Sequence, residues 1–243
     1  MKRTGLILAA GYGSRLSEDD PSRPPKPLIR LAGSSLLVRA LRGLEIAGCT
    51  ESVVVVGHRH ETIQEAVQAE YRGAMPVRFV LNERYDLKNG VSVLSASDHL
   101  GDEFVLAMAD HVVSDDVMKR ARRHTPVPGG ATLLVDYRIG EVFDLEDATK
   151  VVESEGRIVS IGKELDTYNC IDIGVFVCTR GLIEALRTVF SRDGDASLSD
   201  GVQALARRGA MHVLDIGDGF WQDVDTPDML EHVHRRMGLA ASE

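Results

Sequence analysis

The chain has 243 residues, of which 44% are hydrophobic and 27% charged, the composition of an ordinary globular protein with a full core. Its net charge of −9 argues against a nucleic-acid coat or an anionic membrane surface as partner, so basic groups gathered at one place stand out. Cys49, Cys170 and Cys178 are odd in number and lack metal-ligand spacing, so reduced thiols in a cytoplasmic protein are expected. Residues 1–10 imitate a signal peptide, with Lys2 and Arg3 before an apolar run. The run is too short, however, and flows into a Gly/Arg loop rather than a cleavage site. No apolar stretch approaches the ~20 residues that span a bilayer, so the chain is not expected to be membrane-embedded.

Taken in order, short Val/Ile/Leu runs at residues 5–9, 52–56, 77–81 and 103–108 predict buried parallel strands. Between them, residues 34–47 place Leu36, Leu37, Ala40, Leu41, Leu44 and Ala47 on one helical face, with Ser34 or Ser35 as cap. Residues 60–70 and 89–99 carry weaker helical patterns. After about residue 130, strands at 131–136, 149–153, 157–161 and 171–178 come with fewer helices, which predicts an added antiparallel element on the substrate side. A helix at 196–208, a strand at 211–216 and a helix at 226–237 close the chain. The order predicts an α/β fold, a Rossmann-like and mostly parallel sheet with helices on both faces. With no repeat or linker, residues 1–243 read as a single domain. Residues 1–130 and residues 131–243 read as its two functional halves.

Ligands of open α/β sheets bind beyond the carboxyl ends of the strands, where the stretch after Ala9 and Ala10 lies. Gly11 and Gly13 allow close backbone approach and turn N–H groups toward phosphate oxygens. A dinucleotide loop would need glycine where Leu16 stands, and no Gly-Lys-Ser/Thr of a P-loop occurs. What remains is a Gly-rich loop followed by Arg15, and then Lys26 between Pro25 and Pro27, which restrict the backbone around it. A fork and a point charge suit a polyphosphate; a solvated turn with two surface cations is the plainer alternative.

"LAAGYGSRL" with "PKPL" resembles the signature of nucleotidyltransferases that join an NTP to a phosphorylated small molecule. The resemblance extends over nearly the whole chain. "KNGVSVLSA", "FVLAMADHVVS", "ATKVVESEGRIVSIGKEL", "CIDIGVFV" and "WQDVDT" resemble in particular the cytidylyltransferase domain that makes CDP-inositol from inositol 1-phosphate. CTP:phosphocholine, CTP:phosphonate and sugar-1-phosphate nucleotidyltransferases are similar relatives, and a non-catalytic nucleotide-binding regulator is the alternative of another class. The bifunctional inositol enzymes carry a membrane transferase after this domain. The resemblance therefore implies CTP and a small phosphorylated alcohol as partners, with the product feeding a separate membrane transferase or meeting another fate. No oligomeric state is legible, and a homodimer is compatible with the sequence.

The resemblance implies Mg²⁺ as cofactor. Asp110, at the end of a buried strand, needs a partner for its charge, and hard cations take carboxylate oxygens. A helix cap or an ion pair is the alternative there. Asp223 and Asp225 stand two residues apart, on one side if extended, and the family places the second half of the metal site here. Asp225 is also placed to cap the last helix. His111 either contacts substrate or packs. Ala9, Ala10, Gly11 and the segment Lys88, Asn89 and Gly90 are expected at base and ribose; Asn89 is equally placed to cap a helix. For the acceptor, the expected residues are Asp136, Lys150, Lys163 and Asp172. Lysines would grip phosphate and carboxylates would accept from hydroxyls, while scattered surface charge is the alternative for Lys163 and Arg138. Five tyrosines and one tryptophan supply a quaternary-ammonium cage poorly, which favours a polyol phosphate. Arg15 and Lys26 are the expected catalytic cations, and no enzyme nucleophile is needed.

Overall fold

In the computed structural model, residues 2–12 and 23–237 are described, so the candidate residues Gly13 and Arg15 lie outside the described part. Strand β1 (Thr4–Ala9) is buried along its whole length and pairs in parallel on both sides. Its alternate residues feed opposite cores: Leu6 and Leu8 pack with Val53 and Val55, while Ile7 and Ala9 pack with Val54 and Val56. A strand covered on both faces needs an unbroken apolar run, as "LILA" is. The short antiparallel pair β2 (Arg30–Leu31) and β3 (Ser34–Ser35) leads into helix α1 (Leu36–Ile46). The Ser35 hydroxyl caps α1 by accepting the Val38 N–H at 3.4 Å. Then come β4 (Glu51–Val56), α2 (His60–Glu70), β5 (Val77–Leu81), α3 (Gly90–Ser95) and β6 (Glu103–Met108). The order β5-β4-β1-β6 is parallel throughout, as the sequence predicts.

Strand β7 (His111–Val113) and helix α4 (Asp115–Arg123) follow, then β8 (Ala131–Asp136). Strands β9 (Lys150–Ser154) and β10 (Arg157–Gly162) form an antiparallel hairpin, and β11 (Cys170–Thr179) runs antiparallel to β6 and to β8. After α5 (Arg180–Asp193) and α6 (Leu198–Ala206), β12 (Met211–Asp215) lies parallel to β8. Strand β13 (Trp221–Asp223) pairs only with β7, and α7 (Pro227–Arg236) is the last described helix. One nine-stranded sheet among the described residues takes strands from both sides of residue 130. Strand β9 also pairs with the start of β11, so β11, β8, β12, β10 and β9 close a ring of pairings beside the parallel half.

Two helices depart from the sequence expectation. Helix α4, "DDVMKRARR", buries only Val117, Met118 and Ala121, too few apolar positions for its period to register against nine mostly charged residues. Helix α5 follows directly on β11, whose last residue, Thr179, caps the helix with its hydroxyl by accepting the Gly181 N–H, so no loop separates the strand from the helix. The predicted helix at 89–99 divides into α3 and a 3₁₀ turn at Ser97–His99.

Gly90 opens α3 in a space without room for a side chain. A Cβ there would stand 2.5 Å from the Ala196 carbonyl oxygen and 2.8 Å from the Leu186 Cδ2. This glycine is buried against α5 and the start of α6, so its absence of a side chain serves packing. Gly90→Ala is expected to cost about 1–3 kcal/mol, the range for overpacking a well-filled site. A urea midpoint equal to that of the parent would contradict this.

Candidate functional site

Two prolines preset Lys26. Pro25 holds φ at −52°, Pro27 follows within a one-turn 3₁₀ helix, and the Leu28 N–H donates back to the Pro25 carbonyl at 2.7 Å. The Lys26 side chain, 12% exposed, reaches inward to two carboxylates. Its ammonium donates to Asp110 Oδ2 at 2.5 Å and also bonds Asp225 Oδ1.

These two aspartates meet because of a short ladder. Asp110 sits in the turn after β6, immediately before β7. In the antiparallel β7/β13 pair, His111 stands opposite Asp223 and Val112 opposite Gln222, and the Val224 N–H donates to the Asp110 carbonyl at 3.0 Å. The register thus carries "WQDVDT" past the end of β6. Asp225 and Asp223 lie close together with Asp147, offering ligand oxygens within 4.8 Å of one another. The last helix is capped by Thr226, whose hydroxyl accepts the Met229 N–H, while the Asp225 carboxylate turns to Lys26.

Two clefts share this junction. The first lies at the carboxyl ends of β1 and β6, where Ala9, Ala10 and Gly11 line it with Tyr85 and Leu87. The second is lined by His111, Asp147, Lys163, Asp172, Asp223 and Asp225, among others. Lys26, Asn89, Met108 and Asp110 line both. A ligand spanning the two clefts would pass over Lys26 and Asp110.

Burial raises the cost of ionising Asp110. The Lys26 charge and the His111 hydrogen bond outweigh it and hold its carboxyl far below the ordinary carboxylate range. His111 is the reciprocal case. Burial disfavours its charged form, yet Asp110, at 2.8 Å from His111 Nδ1, pushes its pKa upward. At Asp172 burial outweighs the nearby His111. Its carboxylate accepts the Gly174 N–H at 2.7 Å, but burial pushes its pKa up to about 6. Strand β11 breaks its register with β8 between Asp172 and Phe176, and Gly174 adopts a φ of +73° there. Among the described residues, the second cleft is lined by five aspartates and two lysines. That excess of hard anionic oxygen is a donor set suited to a small divalent cation.

Several sequence-predicted residues have partners within the protein. Asp136 lines neither cleft. It is 4% exposed and accepts from the Arg138 guanidinium and from the Trp221 indole N–H. Lys150 lines neither cleft as well; its ammonium donates to the carbonyls of Glu146 and Lys163 and so shapes the loops that hold Asp147 and Lys163. Lys163 donates to Asp147 at 2.6 Å. The Lys88 ammonium lies 3.8 Å from Asp200, and its backbone N–H donates to Asp195. Asn89 does not cap α3; its Oδ1 accepts the N–H of Leu198, at the start of α6. The segment Lys88–Asn89–Gly90 therefore ties α3 to α6, and only Asn89 of the three faces the clefts.

Sequence reasoning missed Asp147 and Trp221. Asp147 is one of three acidic residues in "DLED", in a loop with no strand or helix period to orient it. Trp221 was legible as part of a motif, but nothing in its spacing says what its indole faces.

With this geometry in hand, comparison with known proteins is informative. The family model of the MobA-like NTP transferase domain matches residues 5–200. The bifunctional IPC transferase and DIPP synthase of Rubrobacter xylanophilus is 40% identical over 240 residues, 97% of this chain and 52% of that protein. Its counterpart from Aquifex aeolicus is 32% identical over 231 residues, 95% of this chain and 51% of that protein. The chain thus spans about half the length of these curated relatives. The solved structure of the inositol-1-phosphate CTP transferase from T. maritima superposes with a TM-score of 0.81 at 27% identity, covering 99% of this chain and 98% of the other. Matched by the family model over most of its length, and sharing its mixed α/β fold with that solved structure, the chain belongs to the MobA-like NTP transferase family.

Proposed function

We propose that this chain transfers CMP from CTP to a small phosphorylated alcohol, inositol 1-phosphate first among them, and releases pyrophosphate. The observation that carries this reading is the pair of clefts joined at Lys26 and Asp110, one on the glycine-loop side and one rich in carboxylates. The choice of CTP and inositol 1-phosphate draws on the T. maritima neighbour, an inositol-1-phosphate CTP transferase, and on the bifunctional IPC transferase relatives.

In the proposed reaction an oxygen of the acceptor phosphate attacks the α-phosphorus of CTP. The bond from the α-phosphorus to the bridging oxygen breaks, and that oxygen leaves with its electron pair as pyrophosphate. Little covalent work falls to the protein, and positioning with charge neutralisation does most of it. Ala9, Ala10 and Gly11 would receive the nucleoside at the end of β1. The Lys26 ammonium, with three donors, stands where the triphosphate would pass. Lys163 would hold the acceptor phosphate, and Asp172 would accept from a ring hydroxyl. The carboxylates of Asp110, Asp223 and Asp225, with Asp147 beside them, would hold Mg²⁺, which when bound neutralises phosphate charge. Arg15 and Gly13 are proposed to complete the phosphate cradle by their place in the sequence.

The decisive experiment is pyrophosphate release from four NTPs against inositol 1-phosphate, phosphocholine, 2-aminoethylphosphonate and hexose 1-phosphates. Turnover with CTP and inositol 1-phosphate is expected. CTP binding without release for any acceptor would replace this reading with a nucleotide-binding regulator. Within the active protein, Lys26→Ala and Asp110→Asn should each lower turnover by at least ~100-fold, as for losing a main electrostatic stabiliser. Near-normal release from both variants would remove these residues from the site.

Asp172 yields a second expectation. Its folded pKa lies above the unfolded value, so the stability it contributes is present below about pH 4 and lost as pH rises through about 6. Asp172→Asn keeps an uncharged acceptor for the Gly174 N–H. The variant should therefore be more stable than the parent at pH 8 and equal to it near pH 4. Urea midpoints separated by the same gap at both pH values would show that burial of this carboxylate costs nothing. The same variant should raise the acceptor KM about tenfold, the worth of one hydrogen bond to a charged group, and leave the CTP KM in place.

A further inference from the structure

Trp221 forms a wall between the carboxylate-rich cleft and a second cavity on its other side, lined by Asp136, Arg138, Phe143 and His232. Its indole N–H donates to Asp136 Oδ2 at 2.9 Å. Asp136 is buried at the end of β8, and both of its oxygens are engaged by this chain. Arg138 donates to Oδ1 through its backbone N–H at 2.8 Å and through Nε at 2.9 Å, and to Oδ2 through Nη2 at 2.8 Å. The same guanidinium donates to the Gly219 carbonyl at 2.6 Å, just ahead of β13.

On its other side the indole stacks on His111, with ring centroids 6.3 Å apart and planes inclined by 18°. Opposite the His111 ring lies Gly174, where even a Cβ would stand 2.7 Å from His111 Cδ2. The imidazole is thus confined on two sides, and its Nδ1 meets Asp110 Oδ1 at 2.8 Å. Asp110 in turn holds Lys26.

We propose that Asp136 and Arg138 are positioning residues: they anchor the Trp221 indole, whose stacked face fixes His111 and through it the carboxylate of Asp110. Asp136 never reaches the acceptor. Without it the indole N–H is left buried and unpaired, so the ring turns toward another partner and the flat wall behind His111 is lost. Asp110 then keeps its charge but not a single orientation.

The kinetic part of this test rests on the functional reading above; the spectroscopic part does not. Trp221 is the only tryptophan in the chain, so its emission reports this site alone. Asp136→Asn should shift the emission maximum of the substrate-free protein. It should also lower kcat about tenfold at saturating CTP and acceptor, the cost typical of losing an outer partner of a ligating group. The acceptor KM should stay within about twofold, since no ground-state contact is lost. Trp221→Phe keeps the stacking face without the N–H and should lower kcat to a similar extent. The double variant should be little worse than either single one, because both act through one chain of contacts. A raised acceptor KM at unchanged kcat would make Asp136 a substrate ligand and overturn the proposal. So would unchanged emission in Asp136→Asn, or full kcat in a protein that has lost only melting temperature. If Asp136→Asn does not fold, an undiminished kcat in Trp221→Phe overturns it. A parent protein inactive on every acceptor would sink the functional reading and leave the emission test to decide.

Discussion

The Lys26 ammonium stands between the carboxylates of Asp110 and Asp225, and the site is organised around that contact. Three charges mostly withdrawn from water are tolerable only together, since removing one partner from a buried ion pair leaves an uncompensated charge. The arrangement also ties three remote parts of the chain: the proline-bound turn after the glycine loop, the end of β6 and the strand that precedes the last helix. Asp223 and Asp147 lie close to this contact, and Lys163 pairs with Asp147.

The rest of the fold serves to deliver these groups to one place. Strands β1 and β6 pair in register along their lengths, so the segment after Ala9 and the turn holding Asp110 emerge at the same edge. The β7/β13 ladder then sets which residues of "WQDVDT" meet Asp110. On the other side, the bulge in β11 turns Asp172 toward the cleft and leaves Gly174 as a gap for His111. Groups held on strands and short ladders move less than groups on long loops, and phosphoryl transfer depends chiefly on such placement. The loops carrying Asp147 and Lys163 are the exception, and they are pinned by Lys150 through backbone carbonyls and by the Lys163–Asp147 pair.

The polar residues around the site fall into two physical classes. Asp110, Asp223 and Asp225 line the second cleft. Asp136 and Lys150 line neither cleft and direct their hydrogen bonds at the protein itself. Residue type cannot separate the classes. A buried aspartate anchoring an indole and one waiting for a hydroxyl look alike in a sequence, and only the direction of the side chain tells them apart.

The amino-acid sequence by itself determined the parallel half of the sheet, because β1, β4 and β6 are apolar runs long enough to be buried on both faces. It also determined that Lys26 would be fixed, because prolines on either side leave its backbone little freedom, and that Asp110 would need a partner at the end of a buried strand. It could not reveal α4, whose charged surface hides three buried positions, or α5, which follows β11 with no loop between them. Nor could it assign Asp147, Asp136 or Trp221, since these act through neighbours far away in the chain. The tertiary structure alone decided which acids meet at Lys26 and which turn inward, because strand register and side-chain direction are settled only when the sheet closes and its loops pack.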